Sequence, residues 1–114
     1  MSEQVRSSTS NDPEVKGLPE LAELAEIVRK HMPVLMELYR VRSLGMFGSY
    51  PRREYEEGSD LDILVDFDEP PSLFKFLELE NYLSDLLDIK VDLVMKDALK
   101  PAIGRHILQE VTYI

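Results

Sequence analysis

Residues 60–67, Asp-Leu-Asp-Ile-Leu-Val-Asp-Phe, constrain this chain more than any other segment. A β-strand turns successive side chains to opposite faces. Leu61, Ile63, Val65 and Phe67 therefore share one wholly apolar face, and Asp60, Asp62, Leu64 and Asp66 share the other. The apolar face demands a cover of helices. The acidic face places carboxylates inside a strand, where Asp is disfavoured. Such a strand belongs to a sheet with one buried side and one side free for chemistry.

The rest of the chain supplies the cover. Residues 1–17 are polar, rich in Ser, Thr and Asn, without apolar periodicity, and are expected to form a flexible arm; residues 18–114 form the domain. Leu21, Leu24, Ala25, Ile27 and Val28 recur at helical spacing, with Pro19 suited to the first turn. Pro33 lacks an N–H and predicts a break or kink near residues 31–32, so two helical pieces are expected before the first strand. That strand is predicted over residues 41–47 and ends in Gly48-Ser49. Residues 50–59, with Pro51 and Gly58, predict a loop containing one helical turn. After Pro70-Pro71, the residues Leu73, Phe76, Leu77, Leu83, Leu86 and Leu87 predict an amphipathic helix. A third strand is expected over residues 89–95, with Asp92 and Val94 opposite Val91, Leu93 and Met95. A last helix, opened by Asp97 or by Lys100-Pro101, runs through Gln109, and residues 111–114 are extended. This order gives an α/β (α+β) fold, a small sheet with helices packed on it.

Composition removes several function classes. The chain has 114 residues, which suits one domain, and its 44% hydrophobic and 31% charged content is that of a folded soluble protein. No cysteine is present, so disulfides, thiolate metal sites and a cysteine nucleophile are excluded. No apolar run is long enough to span a membrane and no signal-peptide core is visible, so a cytoplasmic protein is expected. The net charge of −9 disfavours stable nucleic-acid binding. Arg40, Arg42, Arg52 and Arg53 are the densest basic group, and Glu54, Glu56 and Glu57 follow at once. A chain of this charge can still bind a nucleotide when divalent metal supplies the positive charge.

Asp60 and Asp62 sit two residues apart on one strand face. Two ionised carboxylates that close repel unless a cation lies between them, and a hard ion such as Mg²⁺ prefers oxygen ligands. Asp92 repeats the pattern inside Val-Asp-Leu-Val, and would join the pair if its strand lay beside theirs. Each aspartate alone is equally an ordinary turn or solvent-facing residue; the shared strand parity of all three is what points to chemistry. Gly48-Ser49 ends a strand where free backbone N–H groups can receive phosphate oxygens, with the serine hydroxyl as a further donor. A lone Gly-Ser is an ordinary turn, and its weight comes from the ten residues that separate it from Asp60-Leu61-Asp62. His31 and His106 lack metal-type spacing, and Tyr50, Tyr55, Tyr82 and Tyr113 fit packing roles.

The pattern Gly-Ser-x10-Asp-x-Asp, with a third Asp on a later strand, resembles the signature of the DNA polymerase β-type nucleotidyltransferase superfamily. The short chain is similar to its minimal nucleotidyltransferases, the MNT family. The resemblance is carried by Met46-Phe47-Gly48-Ser49-Tyr50 and by Ser59-Asp60-Leu61-Asp62-Ile63-Leu64-Val65. One departure is Tyr50-Pro51-Arg52-Arg53, where the family often has a Tyr-Ala-Arg-Gly-like stretch. The resemblance implies a nucleotidyltransferase fold with a small mixed sheet, and transfer of a nucleotide from a nucleoside triphosphate such as ATP. Asp60, Asp62 and Asp92 would be catalytic and would hold two Mg²⁺ ions, and Gly48 and Ser49 would cradle phosphates. Arg52 has two readings, a phosphate contact or a surface ion pair with Glu54 or Glu56.

Only 20 residues follow Val94, which leaves the expectation that a partner or a subunit interface brings the acceptor. Small MNT proteins are commonly paired with HEPN-domain ribonuclease toxins. The resemblance therefore implies an antitoxin that moves AMP to a tyrosine of such a toxin. A non-catalytic antitoxin acting by occlusion, and a small-molecule nucleotidyltransferase, are the alternatives.

Overall fold

The computed structural model of the chain describes residue 20 onward, except residues 53, 55 and 57. The expected arm at residues 1–17, and Pro19, lie outside the described residues. Helix α1 (Leu21–Tyr39) leads into strand β1 (Val41–Phe47). After a loop come β2 (Leu61–Phe67), helix α2 (Leu73–Leu87) and β3 (Val91–Met95). A 3-10 turn at Lys96–Ala98 then precedes helix α3 (Pro101–Glu110) and the short strand β4 (Thr112–Tyr113). The sheet has four strands in the order β3-β2-β1-β4. It is mixed: β1 pairs antiparallel with both β2 and β4, whereas β2 and β3, joined through α2, run parallel. This is the small mixed α/β sheet that the sequence predicts.

The predicted apolar face of β2 carries the core. Leu61, Ile63 and Val65 have no exposed surface, and they pack with Leu44 and Met46 of β1 and Val91 and Leu93 of β3. Leu24, Val28, Leu35 and Tyr39 of α1 and Leu79, Leu83 and Leu87 of α2 cover them. Each fully buried leucine or isoleucine side chain contributes about 1.5–3 kcal/mol relative to exposure. Together they fix which face of the sheet points inward, because a one-residue slip would turn the aspartates into the core.

Pro33 corrects one expectation. Helix α1 runs as a single element through it, rather than as two pieces. Proline forfeits one backbone hydrogen bond, but Val28 and Leu35 are fully buried on either side and hold both halves against the sheet. The helix starts in a capping box between Glu20 and Glu23 and ends at Arg40 in the left-handed conformation, φ 60°. His31 is half-buried, its Nδ1 2.9 Å from the Ile27 carbonyl oxygen and its ring edge-on to Tyr82.

Strand β3 is a sheet edge, which exposes backbone donors to unwanted pairing. Helix α2 closes it: the Ser84 hydroxyl accepts from Val91 N–H at 2.9 Å and the Glu80 carboxylate accepts from Leu93 N–H at 2.9 Å. The helix itself is capped by Ser72, whose hydroxyl accepts from Lys75 N–H at 3.1 Å.

Between the helices, the Tyr39 hydroxyl donates to Glu78 at 2.9 Å. Burial, the Glu78 hydrogen bond and the Glu78 charge push the Tyr39 phenol from 10.0 up to about 12. Because the folded value is the higher one, this contact stabilises the fold fully below pH 10 and is lost as pH rises toward 12. A spectrophotometric tyrosine titration should therefore show a late step near pH 12 that Tyr39→Phe removes. A profile unchanged by the substitution contradicts the assignment.

Candidate active site

The loop between β1 and β2 and the neighbouring ends of β2 and β3 bring the predicted site residues to one end of the sheet. In the parallel pair, Asp62 lies directly opposite Asp92. In the antiparallel pair, Asp62 lies directly opposite Phe47, the last residue of β1. Residues opposite one another share a face, so Asp62 and Asp92 project side by side from adjacent strands spaced about 4.8 Å apart. Leu61 N–H donates to the Lys90 carbonyl at 2.9 Å and locks the two strand starts in this register. Asp60 immediately precedes β2 and is exposed, as is Asp92, whereas Asp62 is half-buried.

This clustering is visible in the protonation equilibrium of Asp62. Burial raises its pKa above the usual carboxylate value, and the charges of Asp92 and Asp60 raise it further, while Arg52 opposes them. Phe47 is buried, and it is the antiparallel neighbour that places apolar surface beside this carboxylate. The site stores repulsion that a divalent cation would relieve. Its candidate donors are carboxylate oxygens, which fit Mg²⁺ and not a soft metal. Among the described residues, no group of three metal-ligating side chains is already gathered at ligating distance. The backbone supplies the side-by-side placement of Asp62 and Asp92, and the carboxylates, as they stand, do not close on a common point.

Gly48 forms the other wall. Its φ is +83°, a conformation L side chains rarely adopt, and a Cβ placed on it would collide with the Asp62 carboxylate. The glycine thus meets two demands at once, the left-handed turn and the close approach of backbone to acid. Gly48 is buried and Ser49 half-buried. The chain then turns through Tyr50, Pro51 and Arg52, with Glu54 N–H donating to the Ser49 carbonyl at 2.8 Å. The helical turn expected after Ser49 is a hydrogen-bonded turn instead.

Arg52 makes the ion pair that the sequence allowed, Nε to Glu54 Oε1 at 3.0 Å. A second partner was not foreseen: its Nη1 lies 3.2 Å from Glu110 Oε1 at the end of α3. No motif marks Glu110, because 58 residues separate it from Arg52 and only the fold brings them together. His106, the other histidine, sits one turn back with Nε2 3.8 Å from Glu110 Oε2, on the surface rather than among the acids.

A family model for the nucleotidyltransferase domain matches residues 22–114, which include the turn, both strands and α3. The chain belongs to the nucleotidyltransferase family. The protein adenylyltransferase MntA of Thermococcus cleftensis is 53% identical over 94 residues, covering 82% of this chain and 95% of the relative. Among solved structures, a candidate minimal nucleotidyltransferase superposes with a TM-score of 0.69 at 32% identity, covering 82% of this chain and 95% of that one. The fold is also shared with a chain from the complex of a tri-AMPylated Shewanella oneidensis HEPN toxin with its MNT antitoxin. There the TM-score is 0.58 at 21% identity, over 79% of this chain and 70% of that one.

The electrostatic stress at Asp62 generates a stability prediction for this nucleotidyltransferase. A carboxyl whose folded pKa is raised is less favourable when ionised, so at neutral pH Asp62 weakens the fold. In metal-free buffer at pH 7, Asp62→Asn should raise Tm, and the gain should shrink as the pH falls and Asp62 takes up a proton. Calorimetry across pH checks this; a lower Tm at pH 7 contradicts it.

Proposed function

We propose that this protein is an Mg²⁺-dependent protein adenylyltransferase that moves AMP from ATP to a tyrosine hydroxyl of a HEPN-domain ribonuclease toxin, and so acts as its antitoxin. The observation that carries the reading is the direct pairing of Asp62 with Asp92 and the close approach of Gly48 to the Asp62 carboxylate, which supports a metal and phosphate role for these three segments. The name of the Thermococcus relative and the toxin complex among the structural relatives support the choice of protein acceptor and partner.

Asp60, Asp62 and Asp92 would hold the metal. When bound, two Mg²⁺ ions supply charge neutralisation of the triphosphate and a lowered pKa for the acceptor hydroxyl. The chain's own residues do the rest. Backbone N–H groups of the turn at Gly48 and the Ser49 hydroxyl receive the terminal phosphates. Arg52 places its guanidinium on the same phosphates as pyrophosphate departs. Asp92, exposed at the rim, accepts the tyrosine proton as the phenolic oxygen bonds to the α-phosphorus and the bond to the pyrophosphate oxygen breaks.

The net charge of −9 suits docking against a basic ribonuclease, with electrostatic steering of the encounter. No helix among the described residues is long and apolar enough to cross a membrane, and a reaction using ATP and a cellular ribonuclease belongs in the cytoplasm. The complex with the toxin is the functional assembly.

With ATP labelled at the α-phosphate, Mg²⁺ and a HEPN toxin, label should appear on a toxin tyrosine. Asp60→Asn, Asp62→Asn and Asp92→Asn should each reduce the rate by at least about 100-fold, as removal of a metal ligand does. Neutralisation that survives in all three variants without ATP would mean that the protein acts by occlusion, and label on a free hydroxyl compound but not on the toxin would mean a small-molecule substrate.

A further inference from the structure

The geometry points to Glu110 as a positioning residue that holds the Arg52 guanidinium in the orientation needed to receive the triphosphate. This rests on the reading above that Arg52 meets the phosphates, and extends it to a residue outside every motif of the site.

A guanidinium is a rigid planar fork, so fixing two of its nitrogens fixes the third. Glu54 takes Nε at 3.0 Å and Glu110 takes Nη1, with Oε1 at 3.2 Å and Oε2 at 3.5 Å. Neither glutamate takes the third nitrogen, Nη2, and an incoming phosphate would meet the fork there.

The two carboxylates are not equivalent. Glu54 lies on the same loop as Arg52 and moves with it. Glu110 ends α3, and the residues directly after it pair with β1: Thr112 with Met46 and Tyr113 with Gly45, with Ile114 N–H donating to the Leu44 carbonyl at 2.9 Å. Strand β1 is the strand that delivers Gly48. Close packing tightens the link, because a Cβ on Gly45 would strike Val111, the residue next to Glu110. Glu110 therefore references Arg52 to the same strand that places the phosphate turn. It is also the most shielded member of the trio, its side chain 24% exposed against 47% for Arg52 and 64% for Glu54.

A long arginine held in place before the nucleotide arrives loses less side-chain freedom on binding. Removing Glu110 should therefore weaken the capture of triphosphate while leaving the reacting groups untouched.

The test is the affinity of the full chain for Mg²⁺ and an ATP analogue with a non-transferable α,β-bridge, by titration calorimetry. Glu110→Ala, which keeps a good helix former at the end of α3, should weaken binding about three-fold, the scale of one partly exposed ion pair. Glu110→Gln, which still accepts from the guanidinium, should recover most of that loss. Arg52→Ala should weaken binding, and adding Glu110→Ala to it should change nothing further, because the glutamate acts through the arginine. In the transfer reaction, Glu110→Ala should lower kcat/KM for ATP about three-fold and Glu110→Gln should restore most of it, with no further loss in the Arg52→Ala background. If Arg52→Ala binds as tightly as the wild type, the phosphate role of Arg52 fails and this inference fails with it. If Arg52→Ala weakens binding but Glu110→Ala does not, or tightens it, only the role of Glu110 is overturned. An equal loss from Glu110→Ala in both backgrounds also overturns it, since that is a structural effect independent of Arg52.

Discussion

Burial of one face of β2 is the constraint on which the site depends. Leu61, Ile63 and Val65 are sealed beneath α1 and α2, and a strand has only two faces. Asp62 must then project from the opposite side, held on one flank by the antiparallel pairing with Phe47 and on the other by the parallel pairing with Asp92. A fold that relied on loops to gather these acids would pay side-chain and backbone entropy for every degree of placement. Here the hydrophobic core does the gathering, and the acidic face follows as a geometric consequence.

That placement works against stability. Asp62 sits partly buried among like charges, and both burial and those charges raise its pKa. Gly48 adds a second constraint, a left-handed turn close against the same carboxylate that glycine alone meets without strain. Both are tolerable because they stand at the end of a sheet whose interior is fully packed, and both are what a pocket for a metal–triphosphate needs: concentrated negative charge for the cation, and bare backbone close beside it for the anion. On the proposed reading the acid cluster receives the cation and the turn at Gly48 the triphosphate.

Much of this was legible in the sequence. The alternation in residues 60–67 and the helical spacing in residues 73–87 are strong periodic signals, and the core that forms from them is the one expected. The parity of Asp92 within its strand announced its face, although not its neighbour; parallel pairing across an intervening helix is a tertiary fact that spacing leaves open and the structure supplies. Local rules failed where packing overrode them. Pro33 predicts an interrupted helix, but Val28 and Leu35 on either side keep α1 whole. Residues 48–52 form a turn that follows the left-handed Gly48. The contact between Arg52 and Glu110 had no sequence signal at all, since opposite charges 58 residues apart become partners only through the pairing of β4 with β1.

The central claim is that a metal–nucleotide complex is received between the carboxylates of β2 and β3 and the turn at Gly48. Co-crystallisation with Mn²⁺ and a non-transferable ATP analogue, with anomalous scattering recorded from the manganese, tests it most directly. The account predicts an anomalous peak about 2.1 Å from carboxylate oxygens of Asp62 and Asp92, with triphosphate density against the backbone of Gly48 and Ser49. A nucleotide seated elsewhere, such as the roughly 330 Å³ cleft lined by Arg42, Asp66 and Lys96 at the far end of the sheet, with no peak at Asp62, would contradict it.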